Sequence, residues 1–200
     1  MTIKGENIGK RFEAQWIFRN ISFEFKHGGI YAVTGKNGSG KSTLLKTIAG
    51  FLTPNEGSIK YMLEQAEVAP ENAVAHLSFT APYMDLIDEL TVREMVYFHA
   101  SVRKLVLEPA ALIEAIRITD SAAIRNLSSG MRQRLKLALA IFTDSAALFL
   151  DEPTANFDAE WERWYVETLA ANHKNRLVVI ASNHPMEYES LAQQVLSMNA

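Results

Sequence analysis

The stretch that most limits what this chain can become runs from Ile30 to Thr43, IYAVTGKNGSGKST. Ile30 to Val33 is an apolar run that predicts a buried strand. It empties into Gly35-Lys36-Asn37-Gly38-Ser39-Gly40, followed at once by Lys41, Ser42 and Thr43. Leu44, Leu45, Ile48 and Phe51 then recur at helical spacing. A strand, a glycine-rich turn and a helix, with Lys-Ser at the junction, make a phosphate-binding P-loop in the setting that gives the motif its meaning. The residue types follow from the ligand. Side chains would hold the backbone N–H groups away from a polyphosphate, and glycines remove that obstruction and permit positive φ. The helix that follows points its N-terminal N–H groups and the positive end of its dipole at the phosphates. Lys41 supplies a point charge for the β- and γ-phosphates, and the Ser42 hydroxyl is the kind of hard oxygen that Mg²⁺ prefers. A glycine turn that merely joins strand to helix is the alternative. The full G-x-x-x-x-G-K-S spacing in this context outweighs it.

Composition narrows the classes. At 200 residues the chain has the length of one domain, with room for a small insert. Hydrophobic residues make up 48%, sufficient for a full core, and cysteine is absent, which excludes disulfides and thiolate metal sites and fits a reducing compartment. A formal net charge of -3 argues against a nucleic-acid partner, which needs a broad basic face. No apolar run approaches the roughly 18 residues of a membrane helix, and MTIKGENIGKRF lacks the apolar core of a signal peptide. A soluble, cytoplasmic protein is expected, with any membrane crossing done by another subunit.

Residues 2 to 26 read as short strands, because Ile21, Phe23 and Phe25 alternate with Ser22, Glu24 and Lys26. Phe12 and Trp16 lie in a turn-like stretch; one of them stacking on an adenine ring and both lying at the rim of the core are readings of equal weight. Gly50 is a helix stop, Ser58 to Met62 a strand, 63 to 73 a polar stretch without clear pattern, and Leu77-Ser78-Phe79 a further strand ending near Ala81-Pro82. Thr91 with Glu94 predicts a capping box opening a helix to Lys104, and Glu108 to Ile118 a second helix. Residues 83 to about 126 are therefore expected as a helical insert in an α/β chain. His99 reads as a packing residue on the same face as Val92, Met95 and Val96.

Leu127-Ser128-Ser129-Gly130-Met131 opens a strong helix with Leu135, Ala138, Leu139 and Phe142 on one face and Ser128 as its N-cap. Ala146 to Leu150 is the continuous apolar run of a parallel strand buried on both faces, and it ends in Asp151-Glu152-Pro153. Open α/β sheets bind ligands at the carboxyl ends of their strands. With a P-loop upstream, Asp151 is placed to hold Mg²⁺ through water and Glu152 to polarise an attacking water. Trp161, Trp164, Tyr165, Thr168 and Leu169 mark a helix face expected in the core. Leu177 to Ala181 is another buried strand, after which His184 is suited to reach a γ-phosphate oxygen. Val195 to Met198 is a last strand, with no regulatory appendix expected after it.

In this order the motifs resemble the nucleotide-binding subunit of ABC transporters, over almost all of the chain. The P-loop is Gly35 to Ser42. LSSGM, Leu127 to Met131, is similar to the family's LSGGQ signature, ALFLDEP, Ala147 to Pro153, to its Walker B segment, Thr154 to Asp158 to its D-loop, and His184 to its switch histidine. The resemblance implies a single ABC-type ATPase domain over 1–200: a P-loop NTPase core with a mixed sheet, an antiparallel β subdomain and the helical insert. It implies ATP and Mg²⁺ as ligands, and two subunits meeting head to tail around two ATP molecules. In that arrangement Ser128, Ser129, Gly130 and Asp158 join the P-loop residues at the nucleotide, and Glu152, His184 and Lys41 serve hydrolysis. It also implies a membrane subunit as partner and a place on the inner face of the cell membrane. The compact size is most similar to the ATP subunits of small exporters, the haem-exporter type included.

Three positions depart from the family. Ser129 replaces a glycine and Met131 a glutamine, so one polar contact at the dimer seam is lost. The glutamine expected after the strand near residue 80 is replaced by Ala81, which puts metal positioning and coupling in question and leaves Tyr83 or Asp85 as substitutes. Two other functions remain on this reading. One is a soluble ABC-type ATPase acting on ribosomes or chromosomes, whose relatives carry long inserts or tandem domains not seen here. The other is an ATP-binding module with weak hydrolysis.

Overall fold

A computed structural model describes residues 1–173 and 175–198. Strands of both senses occur, divided between two sheets. The antiparallel sheet has the order β2-β1-β4-β5, from β1 (Thr2–Phe12), β2 (Gln15–Phe25), β4 (Glu56–Leu63) and β5 (Ala66–Val68). The second sheet has the order β6-β7-β8-β3-β9, from β3 (Ile30–Thr34), β6 (Leu77–Thr80), β7 (Ala147–Asp151), β8 (Leu177–Ala181) and β9 (Gln194–Ser197), and all its pairings are parallel.

The parallel sheet is covered on both sides, as its apolar runs require. Alternate side chains go to opposite faces. Leu148, Leu150, Val178 and Ile180 enter one core with the helices that follow β6. Ala147, Phe149, Leu177, Val179 and Val33 enter the other, with the antiparallel sheet and α1 (Lys41–Ile48). Each fully buried Leu, Ile, Val or Phe contributes about 1.5–3 kcal/mol, so these five short strands anchor the molecule.

The expectation of short strands over 2 to 26 is corrected: β1 and β2 are 11 residues each, joined by a two-residue turn at Glu13 and Ala14. Register shifts along β1 break the alternation and hide its length from a period-2 reading. Helix α1 ends at Ile48, and Gly50 at φ 82° turns the chain away. Phe51 is therefore not on the helix face; it is half exposed, edge-on to Phe79 at 5.1 Å. The polar stretch holds β5 and a short α2 (Pro70–Val74).

Between β6 and the next core strand lie α3 (Val92–Val102), α4 (Pro109–Ile116) and a 3-10 turn, Ile124–Asn126. The Thr91–Glu94 capping box is formed in both directions, and Val92, Met95 and Val96 are buried. His99 packs inward with Nε2 at 2.8 Å from the Thr143 hydroxyl. Helix α5 (Ser129–Phe142) buries Leu135, Ala138, Leu139 and Phe142 and brings the insert back to the core. On α6 (Ala159–Asn172), Tyr165 and Leu169 are fully buried. Trp161 is only half-buried, with the Arg134 guanidinium 3.4 Å from its ring centroid, so the expected core face is narrower than the aromatic pattern suggests.

Candidate functional site

The carboxyl ends of β3, β7 and β8 lie side by side because β8 pairs with both of the others. Strand β3 delivers the glycine loop. Gly40, the N-cap of α1, is left-handed at φ 93° and makes no side-chain cap, a conformation that glycine adopts without strain. The first N–H groups of α1 are thus left for an external acceptor. Lys41 is 5% exposed and folds back on the loop, its Nζ donating to the carbonyls of Gly35 (2.9 Å) and Lys36 (3.1 Å).

Strand β7 delivers the carboxylates. Asp151 is 1% exposed, and the Ser42 hydroxyl donates to its Oδ1 at 3.0 Å across 109 residues of sequence. Its Oδ2 is buried without a hydrogen-bond partner. Burial pushes the Asp151 pKa up, and Glu152 adds to this, while the Ser42 hydrogen bond, Lys46 and Lys41 pull it down. Burial first, then the Asp151 charge, raise the Tyr83 pKa, while no hydroxyl bonds to Asp151 Oδ2. A hydroxyl and an orphaned carboxylate oxygen side by side are a donor set that fits Mg²⁺, which takes few protein ligands and fills its shell with phosphate and water.

Glu152 has φ 43°, with its N–H bonded to the Ala181 carbonyl at 2.9 Å. Its side chain lines a cavity of about 290 Å³ together with Ile17, Asn37, Gly38, Gly40, Lys41, Ser42 and Thr43. The chain thus brings the loop, the helix start and Glu152 into one space. Strain at a left-handed non-glycine residue beside such a cavity is a mark of functional positions.

Other candidates lie elsewhere. Phe12 is 48% exposed and Trp16 has the Arg19 guanidinium 4.3 Å from its ring centroid; neither lines the cavity, whereas Ile17 of the same hairpin does. The His184 ring is half exposed, with Nδ1 3.8 Å from a Glu162 carboxylate oxygen, and it too is outside the cavity lining. Asp158 caps α6, its Oδ1 accepting from the N–H groups of Glu160 and Trp161 at 3.1 Å each. Ser128 and Ser129 are exposed, and the Ser128 hydroxyl accepts from the Met131 N–H at 3.3 Å. Gly130 sits where a Cβ would lie 2.9 Å from the Asn156 carbonyl, so the 127–131 segment rests on 154–158 and only glycine permits that approach.

Besides Ile17, sequence reasoning missed two residues. The Asn183 amide donates to Asn37 Oδ1 at 2.7 Å and ties the glycine loop to the end of β8. Its place beside His184 at a strand's carboxyl end was the available signal. Glu187 is 3% exposed and its Oε1 accepts from the Thr154 N–H (2.8 Å) and hydroxyl (2.5 Å), joining the segment after β8 to the segment after β7. No sequence pattern marks a contact of this kind.

Comparison with known proteins decides the family. A family profile described as ABC transporter matches residues 18–155. The cytochrome c biogenesis ATP-binding export protein CcmA of Agrobacterium fabrum is 33% identical over 94% of this chain and 92% of its own length. The chain belongs to the ABC transporter family. It is an ATP-hydrolysing subunit of ATP-driven transport, and such ABC subunits dimerise and work with membrane subunits. Some relatives are far longer: the chain is 30% identical to phospholipid-transporting ATPase ABCA7 of Homo sapiens but spans 9% of it. The ABC fold is matched by an ATP-binding protein from Pyrococcus furiosus, with a TM-score of 0.83 at 19% identity over 99% of this chain and 98% of that one. No helix among the described residues is long and apolar enough to cross a membrane.

Proposed function

We propose that this ABC subunit binds MgATP in the cavity at the start of α1 and hydrolyses it in a head-to-tail dimer, moving a separate membrane subunit on the inner face of the cell membrane. The observation that carries this reading is the Asp151 carboxylate, held by Ser42 on one oxygen and free on the other, beneath an uncapped helix start. Ser42 and Asp151 would hold Mg²⁺, which neutralises phosphate charge when bound. Lys41 exchanges its two loop carbonyls for β- and γ-phosphate oxygens, a stronger charge-assisted pairing. Glu152 polarises the water that attacks the γ-phosphorus as the bond to the ADP oxygen breaks. His184 steadies the developing charge after turning from Glu162. Exposure of Ser128 and Ser129 supports their meeting the nucleotide of a partner copy, with Gly130 and Asp158 alongside. Ile17, in the cavity lining, is better placed than Phe12 to meet the base.

The test is a Glu152→Gln variant. Acceptance of the water proton is lost while the phosphate cradle stays, so turnover falls by about 100-fold or more. Size-exclusion chromatography with MgATP is expected to show a dimer that the same variant does not form with ADP. A variant that stays monomeric in MgATP removes the head-to-tail reading.

A further inference from the structure

The starts of α5 and α6 carry Ser128 to Gly130 and Asp158, the residues proposed to face a second copy. We propose that Arg134 and Trp161 are positioning residues for that face: the guanidinium stacked on the indole fixes the start of α6 against α5, so that both segments are presented as one surface. This rests on the head-to-tail reading given above.

Three observations carry it. First, the contact is close and buried. Arg134 Cζ lies 3.4 Å from the Trp161 ring centroid, the spacing of a stacked guanidinium, and Arg134 is 6% exposed. Its Nε is buried without a hydrogen-bond partner, and one terminal N–H reaches the Arg117 carbonyl at 3.5 Å. A buried cation with so few hydrogen bonds is costly to keep, and an apolar side chain of similar volume would serve packing alone. Second, each partner belongs to a segment it would position. Trp161 follows Asp158 by one helical turn, and its N–H donates to Asp158 Oδ1 at 3.1 Å. Arg134 stands on the helix that Ser128 caps. Third, the same two segments meet at further points along one side. The buried Gln133 amide donates to the Pro153 carbonyl at 2.9 Å, and Gly130 lies against the Asn156 carbonyl. The end of α4 reaches the start of α6 as well, where Arg117 pairs with Glu160 at 2.9 Å. A surface assembled before association loses less freedom when the partner arrives.

The test uses the Glu152→Gln protein as parent and reads its MgATP-dependent dimer by sedimentation. Trp161→Leu removes the π face at a half-buried position, and the dimer dissociation constant is expected to rise by about tenfold. Trp161→Phe keeps a π face and is expected to stay near the parent. Arg134→Met reads the same contact from the other helix, so the test does not hang on one variant folding. The double variant Arg134→Met, Trp161→Leu is expected to be no weaker than either single one, because both remove one contact. Affinity for MgADP by calorimetry, which reports the monomer's own site, is expected to be unchanged in all of them. Equal dimerisation of the parent, Trp161→Leu and Arg134→Met overturns the inference alone. Equal weakening by Trp161→Leu and Trp161→Phe also overturns it, since lost packing then suffices. A parent that stays monomeric in MgATP overturns the head-to-tail reading and this inference together.

Discussion

Two helix starts in this protein treat their free N–H groups in opposite ways. At α1 the N-cap is Gly40, which offers no side-chain acceptor, and the loop's own lysine folds onto backbone carbonyls. At α5 the N-cap is Ser128, whose hydroxyl accepts from the Met131 N–H. The first start sits in a cavity beside Asp151 and Glu152, while the second is on the surface, resting on the 154–158 segment. An uncapped start is an incomplete structure that a polyanion completes. A capped start is stable alone and can be offered to a partner without cost to the monomer. The difference agrees with the proposed head-to-tail arrangement, in which one end owns the nucleotide and the other receives it from a second copy.

The comparison breaks most readily at α1. Lys41→Ala removes the ammonium that folds into the glycine loop, and ATP affinity measured by calorimetry is expected to fall by about 100-fold, a charge-assisted contact to phosphate being worth about 1.5–3 kcal/mol. The same change leaves the thermal midpoint of the ligand-free protein nearly unchanged, because the two carbonyls it releases can turn to water in the open cavity.

Support beneath the second helix start gives the next effect. Glu187→Ala leaves the Thr154 N–H and hydroxyl without their buried acceptor and is expected to cost about 1–3 kcal/mol by chemical denaturation. Glu187→Gln keeps an acceptor and separates charge from structure. Burial raises the Glu187 pKa above its ordinary 4.5, against hydrogen bonds from Ser182 and Thr154 that lower it. The folded state thus holds this proton more tightly than the unfolded chain does. The stabilising contribution is complete below pH 4.5 and declines as pH rises through the raised value. Glu187→Gln should therefore match wild type near pH 4 and become relatively more stable toward neutral pH.

The smallest effect sharpens the distinction. Ser128→Ala removes the cap of α5 and is expected to cost about 1 kcal/mol. Its ATP affinity as a monomer should equal wild type by calorimetry, while nucleotide-dependent dimer formation weakens in sedimentation. A Ser128→Ala protein with reduced monomer affinity would erase the division between the two starts.

Much of the site is legible along the chain because its parts are local. A glycine loop between strand and helix, a buried apolar run ending in two carboxylates, and Thr91–Glu94 or Ser128 at a helix start are each set by neighbours within a few residues. What is not local is harder to see in the sequence. β1 looks like short pieces because bulges interrupt its period, and Phe51 falls at helical spacing although Gly50 has already ended the helix. Trp161 carries the pattern of a core residue, yet Arg134 from a different helix covers it.

What the residues determined on their own was the set of local pieces on which the proposed chemistry rests: a glycine loop before a helix start, two carboxylates after a buried strand and a second helix start capped by serine. Only the tertiary structure decided which of them meet. The order β6-β7-β8-β3-β9 puts β8 between the loop strand and the carboxylate strand, and from that follow the Ser42–Asp151 bond and the Asn183–Asn37 bond. The reason is physical: helix caps and glycine turns are short-range preferences, whereas neighbours in a parallel sheet are chosen by how the whole apolar surface is buried on two faces at once.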